Sequence, residues 1–227
     1  MRRTAATLVV TSLTLFTSLS ASVQQEGWTT TFEVDKADLT STGRNPFFVL
    51  EPGYQLTLED GNEKLVITVL ADTKMVDGVE TRIVEERETD KGELVEVSRN
   101  YFAISKRTNS VFYFGEDVDM YKNGKVTSHE GAWLSGEKGA KFGLMMPGQP
   151  LVKGRYYEEI APGVAMDRAE VVSLSIAMKT PAGAFTNCLR TQESSPLEPL
   201  LKESKYYARS IGLIQDGSVK LTKYGMK

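Results

Sequence analysis

A rhythm of turn signals constrains this chain more than anything else in it. Asp60-Gly61-Asn62, Asp77-Gly78, Asp90-Lys91-Gly92, Asn123-Gly124, Pro181-Ala182-Gly183 and Asp216-Gly217 recur between short segments in which apolar and polar residues alternate. Gly, Asn and Asp tolerate the positive φ of tight reversals. Asn123-Gly124 is the dipeptide preferred in two-residue hairpins. The alternating segments run from Tyr54–Leu58 to Ser218–Leu221 and amount to roughly a dozen strands. The best helical candidate, Leu197–Lys205, is interrupted by Pro199. Hairpin neighbours are antiparallel. A sheet this long must curl or close, because its edges and accumulated twist are otherwise hard to accommodate. The expected fold is all-β: a strongly curved antiparallel sheet or partly open barrel built of hairpins.

The amino terminus has a different character. Arg2 and Arg3 precede an apolar run from Ala5 to Leu19, and small residues follow at Ser20, Ala21 and Ser22. That order marks a secretory signal peptide over residues 1–22, with the mature protein secreted or periplasmic. The run is too short for a membrane span, which needs about 20 apolar residues. Residues 23–44 are polar and read as an extended or partly disordered arm, and 45–227 as a single β domain. Losing Arg2 and Arg3 lowers Lys+Arg from 27 to 25 against 30 Asp+Glu, a net charge of about −5. No basic patch stands out, which argues against nucleic acid as a partner. The single cysteine, Cys188, reads as a small buried strand residue.

Aromatic residues cluster along the chain, and the stretch Ser135–Gly154, with Pro147 and Pro150, shows no period and reads as a loop or lid. Tyr113, Trp133, Met145, Met146, Tyr156 and Tyr206 are the candidate lining of an apolar pocket beneath it. Its occupant would be an apolar small molecule or lipid. Three acids, Glu116, Asp117 and Asp119, fall within four positions, and Glu130 lies across the Asn123-Gly124 hairpin. Hard cations take such oxygen clusters, so these four are the candidate ligands for calcium in a structural or envelope-protein-binding module. Asp167 and Glu170 are the candidate pair for a carboxylate-dependent hydrolase. His129 is the only histidine, so any Ser–His–Asp arrangement would have to use it. A non-enzymatic module binding an apolar or amphiphilic ligand heads these readings, with no obligatory cofactor.

Several segments carry a resemblance: Asn45-Pro46-Phe47-Phe48 with Leu50 to Gly53, Tyr113-Phe114-Gly115-Glu116, and Gly131-Ala132-Trp133. Met146-Pro147, Pro162-Gly163-Val164-Ala165 with Asp167, and Ala169-Glu170-Val171 continue it. Pro196-Leu197-Glu198-Pro199 and Lys205-Tyr206-Tyr207-Ala208 complete it. Together they resemble a secreted bacterial all-β family of unknown function, over most of the chain, and imply no catalytic residues. Pro181 to Phe185, and Tyr206-Tyr207-Ala208 with Gly212-Leu213-Ile214, look like elements of periplasmic lipoprotein-carrier-like half-barrels. That likeness implies a curved sheet that holds apolar molecules.

Overall fold

Hairpin signals become chain reversals because residues at the turns take positive φ: Gly61, Asp77 and Gly78, Lys91 and Gly92, Asn123 and Gly124, and Gly217. The computed structural model describes residues 27–227, so the signal segment 1–22 and the first residues of the arm lie outside the described residues. The described chain is strand and connection apart from one 3-10 turn, Lys36–Asp38. The strands are β1 (Leu39–Thr40), β2 (Gly43–Asn45), β3 (Phe48–Leu50), β4 (Tyr54–Asp60), β5 (Glu63–Val76) and β6 (Val79–Asp90). Next come β7 (Glu93–Ser105), β8 (Val111–Lys122), β9 (Lys125–Ser128), β10 (Trp133–Leu134), β11 (Lys141–Met146) and β12 (Arg155–Tyr157). The last six are β13 (Glu159–Ile160), β14 (Arg168–Thr180), β15 (Gly183–Ser194), β16 (Lys202–Ala208), β17 (Gly212–Asp216) and β18 (Val219–Met226).

Most form one antiparallel sheet, ordered β12-β14-β15-β16-β17-β18-β4-β5-β6-β7-β8-β11-β13, with β1 beside β7 and β9 and β10 beside β8. The two edge strands, β12 and β13, are consecutive in the chain and separated only by Glu158. The sheet therefore rolls almost into a barrel, and the segment 155–160 runs along its one unsealed seam. Gly143 of β11 lies at that seam. A side chain there would put Cβ 2.1 Å from the Glu158 carbonyl oxygen.

Two readings of the sequence change here. Ser135–Gly154 is not a loop or lid throughout, because it contains β11, paired to β8 and β13. Gly143, required by the close approach at the seam, breaks the alternation that would have revealed the strand. Met145 and Met146 are accordingly strand residues. Likewise Val111–Phe114 and Val118–Tyr121, which the sequence presents as two strand segments parted by Gly115-Glu116-Asp117, are one strand, β8, continuous through Gly115 at φ +129, where the Trp133 carbonyl leaves no room for a side chain.

The inner face holds the main core, including Leu58, Leu189, Ile214, Leu221 and Cys188, all fully buried. The outer faces of β7 and β8 are buried as well. There Tyr101, Ala103, Phe112 and Phe114 pack with Val76, Val79 and Leu39, beneath Phe32 and Val34 of the amino-terminal arm. The arm also adds Thr29 in parallel beside Tyr156. Arg82 ties this layer to the sheet. It is 6% exposed and donates to the carbonyls of Ser41 (2.9 Å) and Ala71 (2.6 Å) and to the Thr42 hydroxyl (2.8 Å). Arg82→Met keeps much of the volume but leaves those carbonyls without a donor. Urea denaturation should show a loss of about 3 kcal/mol, and a loss below about 1 kcal/mol would show the arm held by its apolar contacts alone.

Candidate functional site

Strand alternation decides what lines the lumen. On β5 the inward series Val69, Ile67 and Leu65 runs toward the end carrying the Gly61, Gly92 and Gly217 turns. On β6 the matching series is Val84, Glu86 and Glu88, and on β16 it is Tyr207, Lys205 and Glu203. At the opposite end the β2–β3 hairpin places Phe48 and Val49 under the sheet. It is pinned by Asn45, whose side-chain amide donates to the carbonyls of Asn109 (2.8 Å) and Pro147 (2.9 Å). The result is a blind lumen. Its floor is an apolar cavity of about 80 Å³ lined by Val49, Leu56, Ile67, Val69, Val84, Phe102, Met145 and Leu213, with Glu86, Lys205 and Asp216 on its wall. Its mouth is a groove of about 410 Å³ lined by Leu65, Glu88, Asp90, Glu203, Asp216 and Val219. Asp216 belongs to both.

The lining of cavity and groove is acidic, with Glu86, Glu88, Asp90, Glu203 and Asp216, and further acids are buried elsewhere against the sheet. Burial pushes Glu86 up to about 7, helped by the carboxylates of Asp216, Glu88 and Glu96 and opposed by Lys205. Burial pushes Glu116 up to about 8, with the Tyr113 hydroxyl opposing and Glu86 and Glu96 adding to the rise. Glu158 and Glu159 are held well above the ordinary carboxyl range, again by burial first and then by neighbouring carboxylates. Lys205 is the base that acts on Glu86, Glu158, Glu159 and Glu193. Its burial disfavours the charge, but Glu193 and Asp216 more than offset that and hold it well above an ordinary lysine. Lys205 Nζ lies 2.9 Å from Glu193 Oε2 and 3.5 Å from Asp216 Oδ2.

Four buried side-chain atoms have no hydrogen-bond partner among the described residues: Trp133 Nε1, Tyr156 OH, Thr191 Oγ1 and Glu193 Oε1. Three of them share one wall. Tyr156 pairs across β12–β14 with Ala169, and Ala169 pairs across β14–β15 with Glu193. Thr191 lies two residues from Glu193 on the same face, opposite Lys205. Ala169, between Tyr156 and Glu193, is the smallest side chain in that row.

The residues expected to form an apolar pocket are dispersed. Tyr113 is buried, its ring 5.4 Å from Trp133 and 4.6 Å from Phe102, with its hydroxyl donating to Asn100. Met145 lines the cavity, while Met146 is fully buried in the core. Tyr156 faces the lumen. Tyr206 turns outward, with the Arg190 guanidinium 5.8 Å from its ring. Trp133 and Glu116 border a separate open groove of about 340 Å³ beside the seam.

The four acids expected to bind calcium are not gathered in one place. Glu116 points inward. Asp117 points outward, where burial would raise it but the Tyr101 hydroxyl and Lys74, at 3.0 Å, hold it below the ordinary range. Asp119 is paired with Arg99 at 3.1 Å and His129 at 3.0 Å. Glu130 lies in the turn beyond β9. Among the described residues no group of three or more His, Cys, Asp or Glu is arranged to hold a metal ion. Asp167 and Glu170 do not face one another across a cleft. Glu170 is held on the outer face by Arg155 at 2.8 Å, and the Asp167 carbonyl accepts from the amides of Glu158 and Glu159.

Fold and site together define an all-β near-barrel with a blind acidic lumen and an apolar floor. No family model, curated protein or solved structure matches the chain.

Proposed function

We propose that this chain is a secreted or periplasmic binding module, without chemistry of its own, for a small amphiphile. The occupant enters by the polar mouth and seats its apolar end on the floor of the lumen. The observation that carries this reading is the continuity of groove and cavity along the same strand faces, with Asp216 lining both. The groove falls within the usual size range of small-molecule sites, roughly 300–1,000 Å³. The 80 Å³ floor admits only a short apolar group and excludes a full lipid chain.

Hexan-1-ol is a suitable neutral probe. Titrated to millimolar concentrations, it should raise the melting temperature in a saturable way, because a ligand that binds only the native state stabilises it. Val84→Trp, which fills the floor, should abolish that rise. A melting temperature unmoved by the alcohol, or moved equally in Val84→Trp, would overturn the reading.

A further inference from the structure

We infer that the lumen selects an amphiphile bearing a primary ammonium group, and that Glu193, Tyr156 and Thr191 are the side chains that receive it. This rests on the reading of the lumen as a binding site and adds the chemistry of the head group.

The first support is the unmet hydrogen-bonding capacity of one wall. Buried polar atoms are almost always paired, and each exception calls for an explanation. Here Glu193 is 9% exposed, Tyr156 4% and Thr191 fully buried, and each carries an oxygen without a partner. A carboxylate oxygen only accepts, and the two hydroxyls can both accept, so the matching ligand group is one with several donors. An ammonium supplies three.

The second support is charge. The resident cation, Lys205, occupies only Glu193 Oε2 and leaves Oε1 free. Apart from Lys205, the main charged groups acting on Glu193 are the carboxylates of Asp216 and Asp167. A second cation therefore enters a field that is negative overall, and a deep, low-dielectric site focuses that field. An anionic head group would add to the repulsion from Glu193 and Asp216, which share the one lysine.

The third support is reach. Lys205 lines the floor cavity and pairs with Glu193, so the head-group wall adjoins the apolar floor. A chain of a few carbons ending in an amine spans the two. An alcohol offers a single donor and no charge.

The test compares hexylamine with hexan-1-ol by isothermal titration at pH 7.5. Hexylamine should bind at least tenfold more tightly to the wild-type protein, and Glu193→Gln should cut that preference to threefold or less while the alcohol's affinity stays the same. Tyr156→Phe and Thr191→Val, which remove one oxygen each and keep the shape, should each reduce it by a smaller factor. If Glu193→Gln does not fold, these two variants decide. A fall in preference in either supports the assignment, and an unchanged preference in both overturns it. Equal binding of amine and alcohol refutes the ammonium selection while leaving the binding-module reading intact. Binding of neither refutes both.

Discussion

Gly143→Ala is expected to destabilise the protein by about 3–5 kcal/mol, a cost at the upper end for single substitutions, here from a collision with something that cannot move. The added methyl would lie 2.1 Å from the Glu158 carbonyl oxygen, 2.4 Å from its carbon and 2.8 Å from the Tyr157 oxygen. All three are backbone atoms of the segment that runs along the seam, so no side chain can swing aside. The Glu158 and Glu159 amides are themselves anchored on the Asp167 carbonyl, at 2.8 and 3.1 Å. Relief must come from separating β11 from β13, which pair through Lys141–Ile160 and Phe142–Glu159. Urea denaturation would give the size of the loss. Hydrogen exchange would show it localised, with β13 amides losing protection while those of β5 and β6 keep theirs. Gly139 makes the comparison: its φ is +84 but nothing lies within 4 Å of its added Cβ, so Gly139→Ala should cost only about 1–2 kcal/mol. A loss below 1 kcal/mol at Gly143 would mean that the seam is not a tight contact.

Stability should fall as the pH rises from 5 to 8, the reverse of what paired surface carboxylates produce. Glu86 and Glu116 sit at about 7 and about 8 in the folded protein, against an ordinary value of 4.5. Between those limits the native state binds more protons than the unfolded chain, so stability declines with pH. The contribution is fully present below about pH 4.5 and is lost as the pH climbs through 7 and 8. One pKa unit corresponds to about 1.4 kcal/mol. Allowing for water at the lumen mouth and for coupling between the two acids, the loss is about 3–5 kcal/mol.

Other acids act at lower pH and in the opposite sense. Glu51 and Asp117 are depressed, Glu51 chiefly by its hydrogen bond with Arg44, and Asp117 because Tyr101 and Lys74 outweigh its burial. What they add is lost as the pH falls below about 4. The optimum therefore lies near pH 5. Urea midpoints at pH 5, 6, 7 and 8 would check this, and the double variant Glu86→Gln/Glu116→Gln should make the decline shallower and gain stability at pH 8, with Glu158 and Glu159 keeping a residual slope. A midpoint that is flat or rises over that interval would contradict the buried-acid account.

Turn chemistry made the fold legible because it is local. Asn123-Gly124 and Asp77-Gly78 state their own φ, and alternation beside them states which residues point the same way. The seam strand was not legible, since Gly143 answers to a carbonyl fifteen residues further on. The lumen was hidden for a related reason. On β6, Val84, Glu86 and Glu88 share a face with acids at both outward and inward positions, so the sequence reads as a solvated strand until its partners are known. Lys205 and Glu193 approach one another only because β15 and β16 pair with Thr191 opposite Lys205. The acid run at 116–119 was conspicuous for being contiguous, but alternation divides a contiguous run between two faces. Tyr156 stands out in the sequence for its aromatic ring. Its unpartnered hydroxyl, which gives it a role here, depends on Ala169 and Glu193 in neighbouring strands.

The pairing of β18 with β4 brings Met226 opposite Tyr54, joining the first long strand of the sheet to the last. Nearly every other long pairing is a hairpin that can form between neighbours. Contacts so distant along the chain are slow to form, because the entropy of closing a long loop is lost before the contact is made. Ring closure is thus a late step in folding, and it waits for residues 219–226. Until then the sheet is open, its inward carboxyls meet water, and they are ionised at neutral pH. Closing the ring removes them from water and raises their proton affinity, so the last stage of folding takes up protons. Acid should accelerate it.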